Sequence, residues 1–133
     1  MKDCVSFETA RKLQDAGIDF GQTAFVWVQT LMDGWELRLS TEAKNKPVPY
    51  NIIPTTTTNE MLEWLPAEIR IKGKCYILVL TKEKKLLEPD NFMACYTHYW
   101  EGKIIHILGN CQRELPQEAL AQLCLWVNKE GYK

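Results

Sequence analysis

Residues 54–66, in the middle of the chain, constrain the fold more than any other stretch. Thr57 and Glu60 have the spacing of a capping box, in which the threonine oxygen accepts from the amide of residue 60 and the glutamate carboxylate accepts from the amide of residue 57. Pro66 ends the segment, because the residue before a proline is pushed out of the α region. Apolar side chains recur between them at helical spacing, at Met61, Leu62 and Leu65. The stretch therefore predicts a short helix that divides two strand-rich halves of the chain.

Two further helices are predicted at the ends of the chain. Ser6 is a suitable N-cap for an amino-terminal helix, and Gly17 is suited to the left-handed position that follows its last turn. A carboxy-terminal helix from about residue 115 to residue 129 has Pro116 in its first turn and ends at Gly131. Its apolar side chains span a broad arc, so we expect it to be largely buried.

The remaining segments read as strands and hairpins. Residues 24–40 form a hairpin around Asp33-Gly34, residues 50–53 form a short edge strand between prolines, and residues 92–108 form a second hairpin around Glu101-Gly102. The continuous apolar run 75–80 is typical of a central strand covered on both faces. We predict an α+β protein with one twisted, mostly antiparallel sheet of five to six strands and three helices packed mainly on one face.

The register of the first hairpin decides where Phe25 and Trp27 lie. A two-residue loop at Asp33-Gly34 pairs Thr30 with Leu37 and places the two aromatic residues on a mixed outer face, where they are candidates for an exposed patch. A three-residue loop would turn that set toward the core, because a slip of one residue moves every side chain to the other face.

The register of the second hairpin decides whether His98 and His106 meet. A two-residue turn pairs His98 with Ile105 and puts the histidines on opposite faces. A three-residue loop pairs Tyr96 with His106 and brings the histidines to one face, roughly 7–8 Å apart at Cα. Such a pair would suit a pocket with acid–base chemistry. A metal site needs three converging ligands, however, so no metal is predicted, and the alternative interpretation is two half-exposed strand histidines.

Composition and charge exclude several classes of protein. The chain has 133 residues, 46% of them hydrophobic and 25% charged, which indicates a single folded domain, residues 1–133. A net charge of −1 argues against nucleic-acid binding, although a local basic patch is compatible with it. No apolar run approaches the ~18 residues of a membrane span, and the amino terminus lacks the apolar segment of a signal peptide.

Five cysteines with no C-x-x-C spacing favour reduced thiols in a cytoplasm over a disulfide framework or a zinc knuckle. Cys111, beside Arg113, is the cysteine whose surroundings would most favour a thiolate. The glycines are single residues at turns and caps, and no G-x-S-x-G elbow is present, so neither a cofactor nor a catalytic residue is predicted. The aromatic residues and histidines are the candidates for binding: Phe25, Trp27, Tyr96, His98, Trp100 and His106.

Three segments in this order resemble a known set of proteins. They are residues 6–17, of the form S-x-E-T-A-x-x-L-x-x-x-G, residues 57–66, and a closing segment 118–132 that contains Leu125-Trp126-Val127 and ends in Glu130-Gly131-Tyr132. The chain is similar to short, uncharacterised proteins from prophages and mobile elements of gut anaerobic bacteria. The resemblance implies a small accessory protein in a bacterial or phage cytosol and carries no catalytic motif.

These observations favour a non-enzymatic protein that binds another protein, or a second copy of itself, through an aromatic-bearing sheet face. The alternative is a small-molecule-binding or minor enzymatic domain with a pocket near the 92–108 hairpin.

Overall fold

The computed structural model describes residues 3–30, 34–44, 51–84 and 86–133. The helices in these ranges are α1 (Phe7–Asp15), α2 (Ser40–Lys44), α3 (Thr58–Trp64) and α4 (Pro116–Glu130). The strands are β1 (Phe25–Gln29), β2 (Trp35–Leu39), β3 (Ile52–Pro54), β4 (Glu68–Ile71), β5 (Lys74–Glu83), β6 (Asn91–Trp100) and β7 (Lys103–Arg113). The predicted α+β class and the three longer helices are confirmed. The five-residue α2 lies where no helix is predicted.

The strands form two antiparallel sheets, so the prediction of a single sheet is wrong. The smaller sheet has the order β2-β1-β3, and the larger has the order β4-β5-β6-β7. The short strand β3 pairs with β1 rather than with β4, and Trp27 lies opposite Ile53. The chain then enters α3 and starts a new sheet at β4. The predicted edge position of β3 is confirmed, but Tyr50, where that strand is predicted to begin, lies outside the described residues.

Helix α3 begins and ends at the residues predicted from the sequence. The Thr57 side chain accepts from the amide of Glu60, and the Glu60 carboxylate accepts from the amide of Thr57, which confirms the capping box. The second oxygen of Glu60 accepts from the amide of Ala24, 3.0 Å away, and so ties α3 to the segment before β1. Leu65, before Pro66, has extended dihedral angles and ends the helix.

Helix α1 begins and ends as predicted. The Ser6 side chain caps it, and Gly17 has φ +77° with the Ile18 amide bonded to the Leu13 carbonyl, as in a Schellman motif. The same geometry ends α4, where Gly131 has φ +76° and the Tyr132 amide bonds to the Val127 carbonyl.

The hydrophobic core lies between the helices and one face of the larger sheet, and the smaller sheet adds Ile53 to it. Helix α4 packs against β6 and β7, and it also contacts α1 and α3. Fully buried side chains at this junction include Val5, Met61, Tyr96, Leu120, Leu123 and Val127. Among the described residues, no helix has both the length and the apolar character needed to cross a membrane.

The first hairpin has a different register from the two-residue loop considered above. Thr30 bonds to Gly34, and Trp27 lies opposite Leu37, so the strands join through three residues that lie outside the described chain. Trp27 therefore turns inward, and its ring meets Phe7 edge to face at 6.2 Å. Phe25 and Trp27 are both half-buried. The three-residue alternative is therefore the observed register, and Trp27 packs against the core, while Val26 and Val28 on the other side of β1 are also buried.

Candidate functional site

The larger sheet is apolar on both faces, but α4 covers one of them. Side chains alternate along a strand, and residues paired across strands share a face. Tyr96 and Ala94 face α4 and are fully buried. We call the opposite side of β5, β6 and β7 the open face. Its side chains are Cys75, Ile77, Val79, Thr81, Glu83, Asn91, Met93, Cys95, Thr97, Tyr99, Ile104, Ile107 and Gln112.

Large apolar side chains of the open face are exposed. Ile77 is 43% exposed, Tyr99 is 40% exposed and Ile104 is 57% exposed. Thr97 lies between Ile77 and Ile107 in the row across the three strands and is buried by these larger neighbours. No other described helix or strand packs extensively on this side of the sheet. The open face is therefore a continuous apolar surface without a partner in the described chain.

The end of the β6–β7 hairpin extends this surface. Glu101 and Gly102 have φ +51° and +76°, as expected for the two-residue turn that joins Trp100 to Lys103. Trp100, on the helix side of the strand, is 66% exposed, and the bulged Ile105 is 55% exposed. The hairpin end thus presents apolar side chains on both of its sides.

The charged groups beside the open face lie on the edge strand β4. Arg70 is 3.4 Å from the Glu68 carboxylate, and the Cys75 thiol is 3.1 Å from its other oxygen. The hydrogen bonds from Cys75 and from Arg70 lower the pKa of Glu68, and the hydrogen bond to Glu68 raises the pKa of Cys75. The thiol therefore stays protonated, and β4 contributes one acid and one base that offset each other.

The histidines pair directly across β6 and β7, which neither predicted register gives. Next to the turn, β6 and β7 pair as predicted for a two-residue turn, with Tyr99 opposite Ile104. An extra residue on β7 then shifts the pairing and places His98 opposite His106. The two histidines therefore share a face, and it is the helix side of the sheet rather than the open face.

Tyr76 joins the two histidines from β5. Its hydroxyl is 2.9 Å from His106 Nδ1, and its ring lies 5.6 Å from the His98 ring and 5.8 Å from the His106 ring. His98 Nδ1 lies 2.9 Å from the carbonyl oxygen of Cys75, which can only accept, so this nitrogen carries a proton. A Tyr–His pair of this kind can pass a proton.

Among the described residues, the histidine pair belongs neither to a metal-binding cluster nor to either of the two cavities given below. Across the described ranges, no three histidine, cysteine or acidic side chains converge on a metal position. An apolar cavity of about 200 Å³ is lined by residues of α1 and of the segments 18–23 and 54–56. A larger groove of about 660 Å³ is lined by Trp27, Leu37, Leu115 and residues near them. Neither cavity includes a histidine.

Tyr96 is a core residue rather than a contact residue. Its side chain is fully buried, its hydroxyl donates to the Pro66 carbonyl at 2.7 Å, and its ring lies 6.4 Å from that of Trp126. Burial raises the pKa of this phenol. Among the predicted binding residues, Tyr96 is thus buried in the core, and Phe25 and Trp27 lie in the smaller sheet, apart from His98, Trp100 and His106 in the larger one.

The cysteines do not have the surroundings of nucleophiles. Burial raises the pKa of Cys111, and the nearby Arg113 offsets this only in part. Burial raises the pKa of Cys4 to about 11, with Asp3 and Glu60 adding to it, and that of Cys124 to about 12.

Sequence reasoning missed the open face because the run 75–80 predicts a strand covered on both sides. That strand, β5, does lie inside the sheet, between β4 and β6. Ile77 is nevertheless exposed, since one of its two apolar faces has no cover. The signal was present in the alternate residues of the run, which are apolar at 75, 77 and 79 as well as at 76, 78 and 80.

No family model matches the chain, no curated protein is significantly similar to it in sequence, and no solved structure is significantly similar to its fold. We therefore infer function from the geometry and the sequence of this chain.

Proposed function

We propose that this chain is a small accessory protein that acts by binding another protein through the open face and the adjoining hairpin end. The observation that carries the proposal is the apolar side of β5, β6 and β7, which no described element covers while α4 covers the other side. Monomeric proteins rarely expose large contiguous apolar patches, and those that occur are commonly interaction sites.

The side chains at the hairpin end suit such a contact. Tyr99 and Trp100 belong to the residue types that contribute most to binding energy at interfaces. Both are exposed, and they point to opposite sides of the same strand. Their backbone is held by the tight turn and by pairing along the whole length of β6 and β7, so few backbone degrees of freedom would be lost on binding.

The cellular setting that we propose is the cytoplasm of a bacterium that carries a phage or mobile element. It is supported by the resemblance of residues 6–17 and 57–66 to proteins of that origin and by five free cysteines, three of which are buried.

Site-specific photo-crosslinking tests the proposed function. A photo-reactive phenylalanine analogue replaces Tyr99 on the open face, and in a matched control it replaces Leu39, which is 43% exposed in the smaller sheet. We expect a discrete crosslinked protein from position 99 and none from position 39. If position 99 yields no crosslinked protein in cells of the native host, the open face is not a binding surface.

A second candidate function is small-molecule binding or proton-transfer chemistry beside the 92–108 hairpin. The Tyr76–His106 hydrogen bond next to His98 favours it. Imidazole NMR signals would be followed while a fragment library is added. Shifts at His106 that vanish in Tyr76→Phe would support this candidate, and unmoved imidazole signals throughout would rule it out.

A further inference from the structure

We infer that the protein bound by the open face is a second copy of this chain, so that two larger sheets pack face to face across a two-fold axis. This inference rests on the proposed function and names its partner.

The size of the open face matches what a stable dimer needs. Strands β5 and β6 have ten residues each and β7 has eleven. At about 4.8 Å between strands and about 3.3 Å per residue, their flat footprint is about 500 Å². The accessible area of a surface with protruding side chains exceeds its footprint, and the hairpin end adds to it. The area of the face is therefore of the same order as the area of about 800 Å² per partner that specific interfaces bury.

The charges of the open face favour self-association. A two-fold interface brings each patch against the same patch of the partner, so any net charge on it would be opposed by a like charge. Among the described residues that define the open face, the charged side chain is Glu83, which lies at the end of β5 farthest from the β6–β7 turn. The neighbouring edge strand carries Glu68 and Arg70, one of each sign and already paired. Two copies of this surface can therefore pack together without strong charge repulsion. A strongly acidic or basic partner would find few opposite charges on it.

The shape and composition of the open face also suit a second sheet. Branched side chains of Ile77, Val79 and Ile107 stand around the smaller Cys95 and Thr97, which form a low floor between them. Such relief allows side chains of two sheets to interdigitate at the ~10 Å spacing of a β-sandwich. Strand β5 would then be buried on both faces, as is typical of strands with an apolar run like 75–80.

The dimer is tested with a matched pair of isoleucine variants. Ile77 on the open face and Ile52 in the smaller sheet are both 43% exposed. Analytical ultracentrifugation of the full chain over a range of concentrations should give a species of twice the 15.5 kDa chain mass. Ile77→Lys should raise its dissociation constant by at least about 30-fold, the effect of losing one strong contact residue, and Ile52→Lys should leave it unchanged. Far-UV circular dichroism shows whether each variant is folded.

Tyr99→Lys gives the same test should Ile77→Lys fail to fold, because Tyr99 lies on the open face two residues along β6 from Thr97, the partner of Ile77. A wild-type chain that stays monomeric at all concentrations overturns the dimer, as does a dimer that Ile52→Lys disrupts and Ile77→Lys does not. The photo-crosslink at position 99 then separates the two proposals. A crosslinked species with the mass of a different protein overturns the dimer and keeps the binding function, and the absence of any crosslink overturns both.

Discussion

Gly109 lies directly against the indole of Trp126. A Cβ built on this glycine would come within 2.8 Å of Trp126 Cε3 and within 3.0 Å of Leu123 Cδ1. Gly109 has φ +64° and lies where β7 bulges between the pairs formed by Ala94 and Tyr96. A glycine in the left-handed region is the usual residue at such a bulge, and here it also lets α4 approach the sheet.

Gly109→Ala should therefore destabilise the protein by about 2–4 kcal/mol, because it combines backbone strain with overpacking against Trp126. Gly102→Ala is the control, since Gly102 has φ +76° but no atom within 4 Å of an added Cβ. It should cost about 1 kcal/mol from the backbone alone. Urea unfolding measures both, and equal losses would show that Trp126 does not restrict the site.

Tyr96→Phe should lower the free energy of unfolding by about 1 kcal/mol, because the Pro66 carbonyl loses the hydroxyl that donates to it. Tyr99→Phe, on the open face, should change the free energy of unfolding by less than about 0.5 kcal/mol. Thermal and urea unfolding of the pair distinguish a core tyrosine from a surface one. A stability loss at Tyr99 as large as that at Tyr96 would contradict this assignment.

Replacing either of two adjacent threonines at the start of α3 by alanine should have different effects on the free energy of unfolding. Thr57→Ala removes the cap that accepts from the Glu60 amide, and we expect a loss of about 1 kcal/mol. The Thr58 hydroxyl is buried and has no hydrogen-bond partner in the described chain. Thr58→Ala should therefore be neutral or slightly stabilising. Chemical denaturation of the two variants measures this, and a larger loss for Thr58→Ala would mean that its hydroxyl is bonded in solution.

The protein should lose stability in alkali as its buried thiols ionise on unfolding. Burial raises the pKa of Cys124 from 9.0 to about 12, so between these values the unfolded chain holds fewer protons on this thiol than the folded chain. The contribution is fully present below pH 9 and is lost at up to about 1.4 kcal/mol per pH unit as the pH rises toward 12. Cys4, raised to about 11, adds to the loss.

Cys124→Ala tests this pH dependence. Urea unfolding from pH 8 to pH 11 should show a shallower fall for this variant than for the wild type, whatever its stability at pH 8. Parallel curves would mean that Cys124 is not protected from ionisation in the folded state.

The sequence predicted those parts of the fold that depend on neighbouring residues. Thr57 with Glu60, Gly17, and Pro66 after Leu65 each determine a helix end through backbone hydrogen bonds or steric clashes within a few residues. The same reasoning placed β3 at an edge because of its flanking prolines.

Strand registers and the division into two sheets depend on contacts between distant residues. The inward turn of Trp27 is tied to Phe7, and His98 meets His106 because of a bulge that no turn motif in the sequence marks. Apolar residues lie on both faces of β5, but the sequence does not show which parts of the protein pack on each face. For that reason the aromatic residues and histidines were predicted as the contact set, whereas the exposed isoleucines were not.

The sequential order of the larger sheet also bears on how the chain folds. Strands β4 to β7 pair with their neighbours in the chain, and the turn at Glu101-Gly102 has two residues. In the smaller sheet, by contrast, the pairing of β1 with β3 brings together Trp27 and Ile53, which are far apart in the sequence. The isolated β-bridge between Cys4 and Thr57 joins residues that are still farther apart. Loop closure costs more entropy as the loop lengthens. We expect the carboxy-terminal meander of β4 to β7 to form early and the smaller sheet to join last. The open face would then be assembled before the amino-terminal half of the chain has folded.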